Sequence, residues 1–351
     1  MRFRRAALHF VGLALAASLV ASSCSDTNRS SLPTPPTTTI DESCTVSELL
    51  VPSCGAWLGA STPSQDGKFD YAVGLTEFEA VANNQPDIQH FYKRDGEPFP
   101  TDAEIALAER PGKQRSILFY NWKPSSTLTW RQVADGGADA DIDSVAASIA
   151  RYPHHMFLTI YHEPENDEQA DGSGMTAADY VEMYRHVVQR LRDEGVDNAV
   201  FVMNYIGFAT WASAVDRFYP GDDVVDWIAY DPYGLAKHTS FVRLLNDPAD
   251  GWPGFYSWAT RKAPDKPLMV AEWGFDLPNQ PEAAAALESA ALVLEYQYPR
   301  IKALVYWNDF RDGGFEVRID QESEEGRTYG EAYAQFANDP YFDQTQTDAA
   351  P

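Results

Sequence analysis

Short, nearly continuous apolar runs recur along this chain, and between them apolar residues return every three or four positions. The runs cover residues 55–60, 87–92, 116–122, 155–162, 199–205, 224–230, 267–272 and 301–307. Runs of this length with apolar side chains at successive positions read as strands buried on both faces. The intervening helical patterns cover 77–83, 102–110, 142–152, 177–194, 210–219, a broken region over 240–261, and 281–298, with a last helix over 329–338. The helix over 177–194 is the best defined. Thr176 caps it, Tyr180, Met183, Tyr184, Val187, Val188 and Leu191 form one apolar stripe, and Gly195 ends it. Eight strand–helix alternations predict a single-domain α/β fold, a (β/α)8 TIM barrel. No internal repeat or second domain is visible, and the polar, Gly-containing stretch 308–327 reads as the loop after the eighth strand.

Two of the runs end in a carboxylate. The fourth passes from Met156-Phe157-Leu158-Thr159-Ile160 into Tyr161-His162-Glu163-Pro164-Glu165-Asn166. Pro164 has no N–H to give a ladder, so pairing stops there and leaves Glu163 at the carboxyl end of the strand. The seventh run, Leu268-Met269-Val270-Ala271, ends in Glu272-Trp273-Gly274. In a barrel of this kind the strands' carboxyl ends form the functional face. His162 and Glu163 with Asn166, Asn204 with Tyr205, Asp231 with Tyr233, Glu272 with Trp273, and Trp307 with Asn308 and Asp309 are therefore expected there, with His90, Tyr92, Asn121, Trp122 and Lys123 after the second and third strands.

Breaking a glycosidic bond requires a carboxylic acid to protonate the leaving oxygen and a carboxylate to meet the positive anomeric carbon. Glu163 and Glu272, facing each other across one barrel mouth, would supply both. Glu163 is expected to be the acid, kept protonated by partial burial among aromatic rings. Glu272 is expected to be the nucleophile, held ionised by hydrogen bonds, with Tyr233 as a donor. His162 is expected to be a neutral hydrogen-bonding neighbour. Trp307 reads as the floor of a sugar site or as barrel-top packing, and Trp122 as a stacking platform or a core residue. Asp231, before Pro232, is a site residue or a turn former, and Glu165 a loop acid or a substrate contact. No His-Glu-x-x-His spacing is present, so neither a metal nor another cofactor is expected. The other readings are a metal-dependent barrel hydrolase and a non-catalytic surface glycan-binding protein.

Composition narrows the partners. With 52 Asp and Glu against 27 Lys and Arg the net charge is −25, which disfavours nucleic acid, an anionic membrane surface or a polyanionic substrate. Aromatic residues make up 13% of the chain, enough to furnish a sugar-stacking groove, although most aromatics serve cores. Arg2, Arg4 and Arg5 followed by the apolar stretch 6–21 read as an export signal over 1–23. Leu19-Val20-Ala21-Ser22-Ser23-Cys24 resembles a bacterial lipoprotein cleavage box, although Ala21 stands where Leu is usual and leaves ordinary signal cleavage open. The three cysteines fit this. Cys44 and Cys54 can pair across a short loop, leaving Cys24 for a lipid anchor. Residues 24–43, rich in Ser, Thr and Pro, read as a tether, 44–342 as the barrel domain, and 343–351 as a disordered tail. The expected protein is an exported monomer that meets the membrane only through Cys24 and takes a β-linked polysaccharide as partner.

At these motifs the chain resembles glycoside hydrolase family 26, a retaining (β/α)8 family, over about residues 55–338. His162-Glu163 matches the acid/base motif, and Ala271-Glu272-Trp273-Gly274 the nucleophile motif. The segment from Asp226 to Tyr233 is similar to the sixth-strand region whose Tyr supports the nucleophile. Trp122-Lys123-Pro124 and Trp130 to Val133 are similar to the third-strand region. The resemblance implies β-mannanase-like activity, or action on mixed-linked glucan or β-1,3-xylan. Pro164 and Glu165 stand where the mannanases have Met-Asn, and the polar stretch 167–174 replaces an aromatic-rich one.

Overall fold

In a computed structural model, which describes residues 44–64, 70–235, 240–280, 282–311 and 314–344, eight parallel strands close on themselves. They are β1 (Trp57–Ser61), β2 (Ile88–Arg94), β3 (Ile117–Lys123), β4 (Met156–Ile160), β5 (Ala199–Tyr205), β6 (Trp227–Tyr230), β7 (Leu268–Phe275) and β8 (Ile301–Trp307). Each pairs with its neighbours in sequence, and closure comes from β8 on β1 and from β6 on β7, where Ile228 faces Leu268. This is the expected (β/α)8 barrel. The expected signal, the tether and Cys24 lie outside the described residues. The Cys44–Cys54 pairing is present.

The period of two decides what lies inside. Ile88 on β2, Ile117 and Phe119 on β3, Phe157 on β4, Val200 and Val202 on β5, and Val305 on β8 fill the barrel interior. The alternate positions, such as Leu158 and Ile160 on β4, pack outward against helices. The helix Ala177–Asp193 lays Tyr180, Tyr184, Val187 and Leu191 on that outer layer, and Thr176 with Asp179 forms its capping box. At the amino-terminal end the interior is plugged by the disulfide-closed loop. The indole N–H groups of Trp57 and Trp227 each donate over 2.7 Å to the carbonyls of Leu50 and Leu49.

Several expected elements are redrawn. β4 stops at Ile160, two residues before the expected end at 162, because the chain leaves extended geometry at Tyr161. The first helix starts at Tyr71, capped by Asp70. The helix expected over 210–219 is two 3-10 turns, Ala209–Trp211 and Val215–Arg217. Val215 and Phe218 are both buried at a spacing of three, which suits that tighter winding. The stretch 308–327 is not one loop. It holds an antiparallel pair, Phe310–Arg311 with Phe315–Glu316, and the start of the last helix, Glu324–Ala337. Gly330 within that helix permits close packing, since a Cβ there would lie 2.6 Å from the Ile319 carbonyl oxygen. Gln344 is buried, which carries the packed domain past the expected boundary at 342.

The interior plug generates a stability prediction. Trp227→Ala removes a fully buried indole and its bond to Leu49, and should cost about 3–5 kcal/mol in urea unfolding. A cost under about 1 kcal/mol would show that the loop, rather than the indole, closes the barrel floor.

Candidate active site

The end of β4 is built from a conformation that L-residues rarely adopt. Tyr161 has φ 58° and Glu163 φ 51°, both left-handed, and neither is glycine. Each such residue costs about 1–3 kcal/mol and persists only where its surroundings hold it. Here they do. The Tyr161 N–H donates to the Trp122 carbonyl at 2.8 Å, and the Glu163 N–H to the Asn204 carbonyl at 3.1 Å. The Tyr161 hydroxyl donates to Asp167 at 2.8 Å. Pro164 then opens the 3-10 turn Pro164–Asp167, and the Asn166 side-chain amide donates to Glu163 Oε2 at 3.0 Å. The turn swings the Glu163 carboxylate over the barrel mouth, where it is half-buried.

Glu272 arrives by a different device. Strict alternation after the inward-facing Met269 and Ala271 would turn Glu272 outward and Trp273 inward. The register between β7 and β8 slips instead. Val270 faces Leu304 and Trp273 faces Tyr306, so one extra residue is taken up on β7. This bulge aims Glu272 into the barrel and packs Trp273 outside, edge-on to Tyr306 and Phe336. Glu272 is 2% exposed. Tyr92 Oη donates to its Oε1 at 2.8 Å and Tyr233 Oη to its Oε2 at 2.7 Å, with Asn121 Nδ2 at 3.5 Å from Oε1. Burial, then the Glu272 charge, raises both phenols well above their ordinary pKa, so they remain donors.

Asp231 completes a cluster. One oxygen from each of Glu163, Asp231 and Glu272 lies within 4.8 Å of the others. Asp231 is fully buried and accepts from Asn204 Nδ2 at 2.9 Å. Burial first, then Glu272 and Glu163, pushes its pKa well up, in favour of the neutral form. Among the described residues this is the one group spaced to hold a cation. The donors around Glu272, however, are phenols and an amide, a set that suits an anion. Beside the cluster a groove of about 700 Å³ lies over β2–β4, lined by Tyr92, Asn121, Lys123, Leu128, Tyr161 and His162 but by none of the three carboxylates.

Other expected site residues fall differently. Trp307 lies edge-on to Tyr233 at 6.0 Å, beside Phe315, at the rim of the cluster. His162 stands edge-on to Tyr92 at 5.8 Å. Trp122 and Trp273 are fully buried and are not substrate contacts. Trp122 donates to the Asp95 carbonyl and packs on Phe99, because its position on β3 faces the outer layer. Asn204 and Asp231 bond each other beneath the carboxylates rather than opening to solvent. Glu165 is neither loop acid nor substrate contact. It is 1% exposed, accepts from the Ile206 N–H at 3.3 Å, and burial pushes its pKa up to about 8. Tyr92 and Asn121 are expected at the strand ends without a particular role, and the inward phase of β2 and β3, shared with Ile88 and Phe119, brings them to Glu272.

Comparison with known proteins follows this geometry. The sequence model of glycosyl hydrolase family 26 matches residues 139–246, the stretch that carries Glu163, Asp231 and Tyr233. The chain is 24% identical over 298 residues to Endoglucanase H of Acetivibrio thermocellus, covering 82% of this chain and 31% of that protein. It is 30% identical over 235 residues to the β-1,3-xylanase TXYA of a Vibrio species, covering 64% of this chain and 45% of that protein. The chain thus spans less than half the length of either of these curated relatives. Among solved structures, a ruminal family 26 endo-β-1,4-mannanase superposes with a TM-score of 0.55 at 16% identity, covering 82% of this chain and 64% of that one, a likeness of fold.

Buried Glu165 gives a pH test. Its folded pKa of about 8 lies above its ordinary 4.5. The folded state therefore holds a proton that the unfolded state releases, and stability falls as pH rises through that window. Glu165→Gln removes the dependence, so its melting temperature relative to the parent should rise steadily from pH 5 to pH 8.5. A constant difference would mean that Glu165 is ionised in the folded protein.

Proposed function

We propose that this chain hydrolyses β-linked polysaccharide with retention of anomeric configuration. The observation that carries the reading is the approach of Glu163 and Glu272 oxygens to within 4.8 Å. Retaining catalysis uses a carboxyl separation of about 5–5.5 Å, and inversion needs about 6.5–9.5 Å to admit water between them. In the first half-reaction a Glu272 carboxylate oxygen attacks the anomeric carbon. The bond from that carbon to the glycosidic oxygen breaks, and Glu163 passes its proton to the departing oxygen. In the second, the Glu163 carboxylate takes a proton from water as that water attacks the glycosyl ester, and Glu272 leaves as carboxylate.

For the substrate, β-1,4-mannan is the expectation from the His-Glu and Ala-Glu-Trp-Gly motifs, and the mannanase neighbours support it at the level of fold. A second reading, β-1,3-xylan, is favoured by the 30% identity to a Vibrio β-1,3-xylanase and by Pro164-Glu165 in place of Met-Asn. A mixed-linked glucan is the third arm of the same screen. We further propose that the protein works as a monomer at the cell surface, exported by the segment 1–23 and held by a lipid on Cys24, with 24–43 as tether.

Two experiments test this. On mannan, β-1,3-xylan and lichenan, the wild type should release product that proton NMR first detects as the β-anomer. Glu163→Gln and Glu272→Gln should each lower kcat by at least about 10²–10⁴-fold. An α-anomer as first product contradicts retention, and no turnover on any of the three removes the assignment. In a bacterial host, Cys24→Ser should move the protein from the membrane fraction to the soluble one; an unchanged distribution contradicts the anchor.

A further inference from the structure

Resting on the retaining reading above, we infer that Tyr92 is a second positioning residue for the nucleophile, sharing with Tyr233 the task of fixing the Glu272 carboxylate. The two phenols take different oxygens, Oε1 from Tyr92 at 2.8 Å and Oε2 from Tyr233 at 2.7 Å. They also arrive on different elements, Tyr92 from β2 and Tyr233 from the two-residue strand Tyr233–Gly234 against β7. The terminal torsion of a glutamate is broad, so a single donor leaves the carboxylate free to swing about the bond to its methylene. Donors on both oxygens hold its plane.

The support behind Tyr92 is as specific as the contact itself. Its ring lies 4.6 Å from that of His90, and His90 stacks on Phe119 at 4.1 Å and 12°. His90 is buried inside the barrel, and burial followed by neighbouring His162 lowers its pKa to about 3, so it backs Tyr92 as a neutral ring. A cationic imidazolium there would compete with the phenols for the Glu272 charge. Asn121, next to Tyr92 across the β2–β3 ladder, brings its amide to 3.5 Å from the same Oε1.

The two tyrosines differ in their surroundings. Tyr92 lines the groove, while Tyr233 packs among Trp307, Phe315 and Val317. When the carboxylate becomes an ester its oxygens lose charge and accept more weakly, so both bonds strengthen the anion relative to the ester. Their return is orientation. The carboxylate is held in one attack geometry before the sugar arrives, which is where a positioning residue acts on kcat rather than on KM.

The test uses the full-length protein and the 2,4-dinitrophenyl β-glycosides of mannobiose, xylobiose and cellobiose. Dinitrophenolate leaves without a proton, so cleavage reports on Glu272 and bypasses Glu163. Tyr92→Phe retains the ring on His90. It should lower the pre-steady-state glycosylation rate by about 10–100-fold with KM within about twofold. It should also move the acidic limb of kcat/KM to higher pH, because a bond to the charged form is lost. Replacing Tyr92 by 3-fluorotyrosine keeps shape and hydroxyl while making a stronger donor, and should move that limb to lower pH. An active parent whose Tyr92→Phe variant keeps its pre-steady-state glycosylation rate and its acidic limb overturns this inference alone, as does weaker saturation of the glycosylation step with its limiting rate unchanged. A parent inert on all three glycosides overturns the glycosidase reading and this inference with it.

Discussion

A carboxylate can only accept hydrogen bonds, and Glu272 is almost entirely removed from water. Everything at the barrel mouth answers that constraint. An ionised group at 2% exposure is tolerable only with donors on both oxygens, and two phenols and an amide converge there. A third carboxyl group, Asp231, sits beside it, and its burial favours the proton-bound form. In the proposed reaction, the low polarity that makes Glu272 expensive to bury would also make its charge effective toward a developing oxocarbenium ion, since little water is present to screen it.

The other half of the site is maintained by strain. Tyr161 and Glu163 are left-handed on either side of His162, and backbone bonds to Trp122 on β3 and Asn204 on β5 hold them there. The barrel is rigid enough to store that distortion because β4 is paired on both sides and backed by the stripe of the helix Ala177–Asp193. Two carboxylates thus reach one point by unlike means. One is carried by a strained turn beyond its strand and the other by a bulge within its strand.

This contrast explains what could be read from the sequence. The barrel was legible because the period-two and period-3.6 patterns alternate cleanly, and β5 and β8 run over 199–205 and 301–307 as expected. Glu163 was legible because the apolar run breaks into a Pro-containing polar segment at its end, although pairing stops at Ile160 rather than at Pro164. The inward aim of Glu272 was not deducible from alternation. A bulge is a relation between two strands, and neither β7 nor β8 carries it alone. For the same reason Trp273 was misplaced, being next to Glu272 in sequence but on the other side of the sheet. Trp122 failed for want of phase, since on β3 the positions of Ile117, Phe119 and Asn121 face inward and Trp122 does not. Glu165 reads as a surface acid because nothing local announces that the turn after Glu163 folds back under β5.

The most direct measurement of the central claim is capture of the covalent intermediate. The protein would be treated with a 2-deoxy-2-fluoro β-glycoside bearing a dinitrophenyl leaving group, digested, and sequenced by mass spectrometry. The account predicts one added sugar per chain, in ester linkage to Glu272. An adduct on Glu163 or on another residue, or substrate turnover under conditions where no glycosyl-enzyme forms, would contradict it.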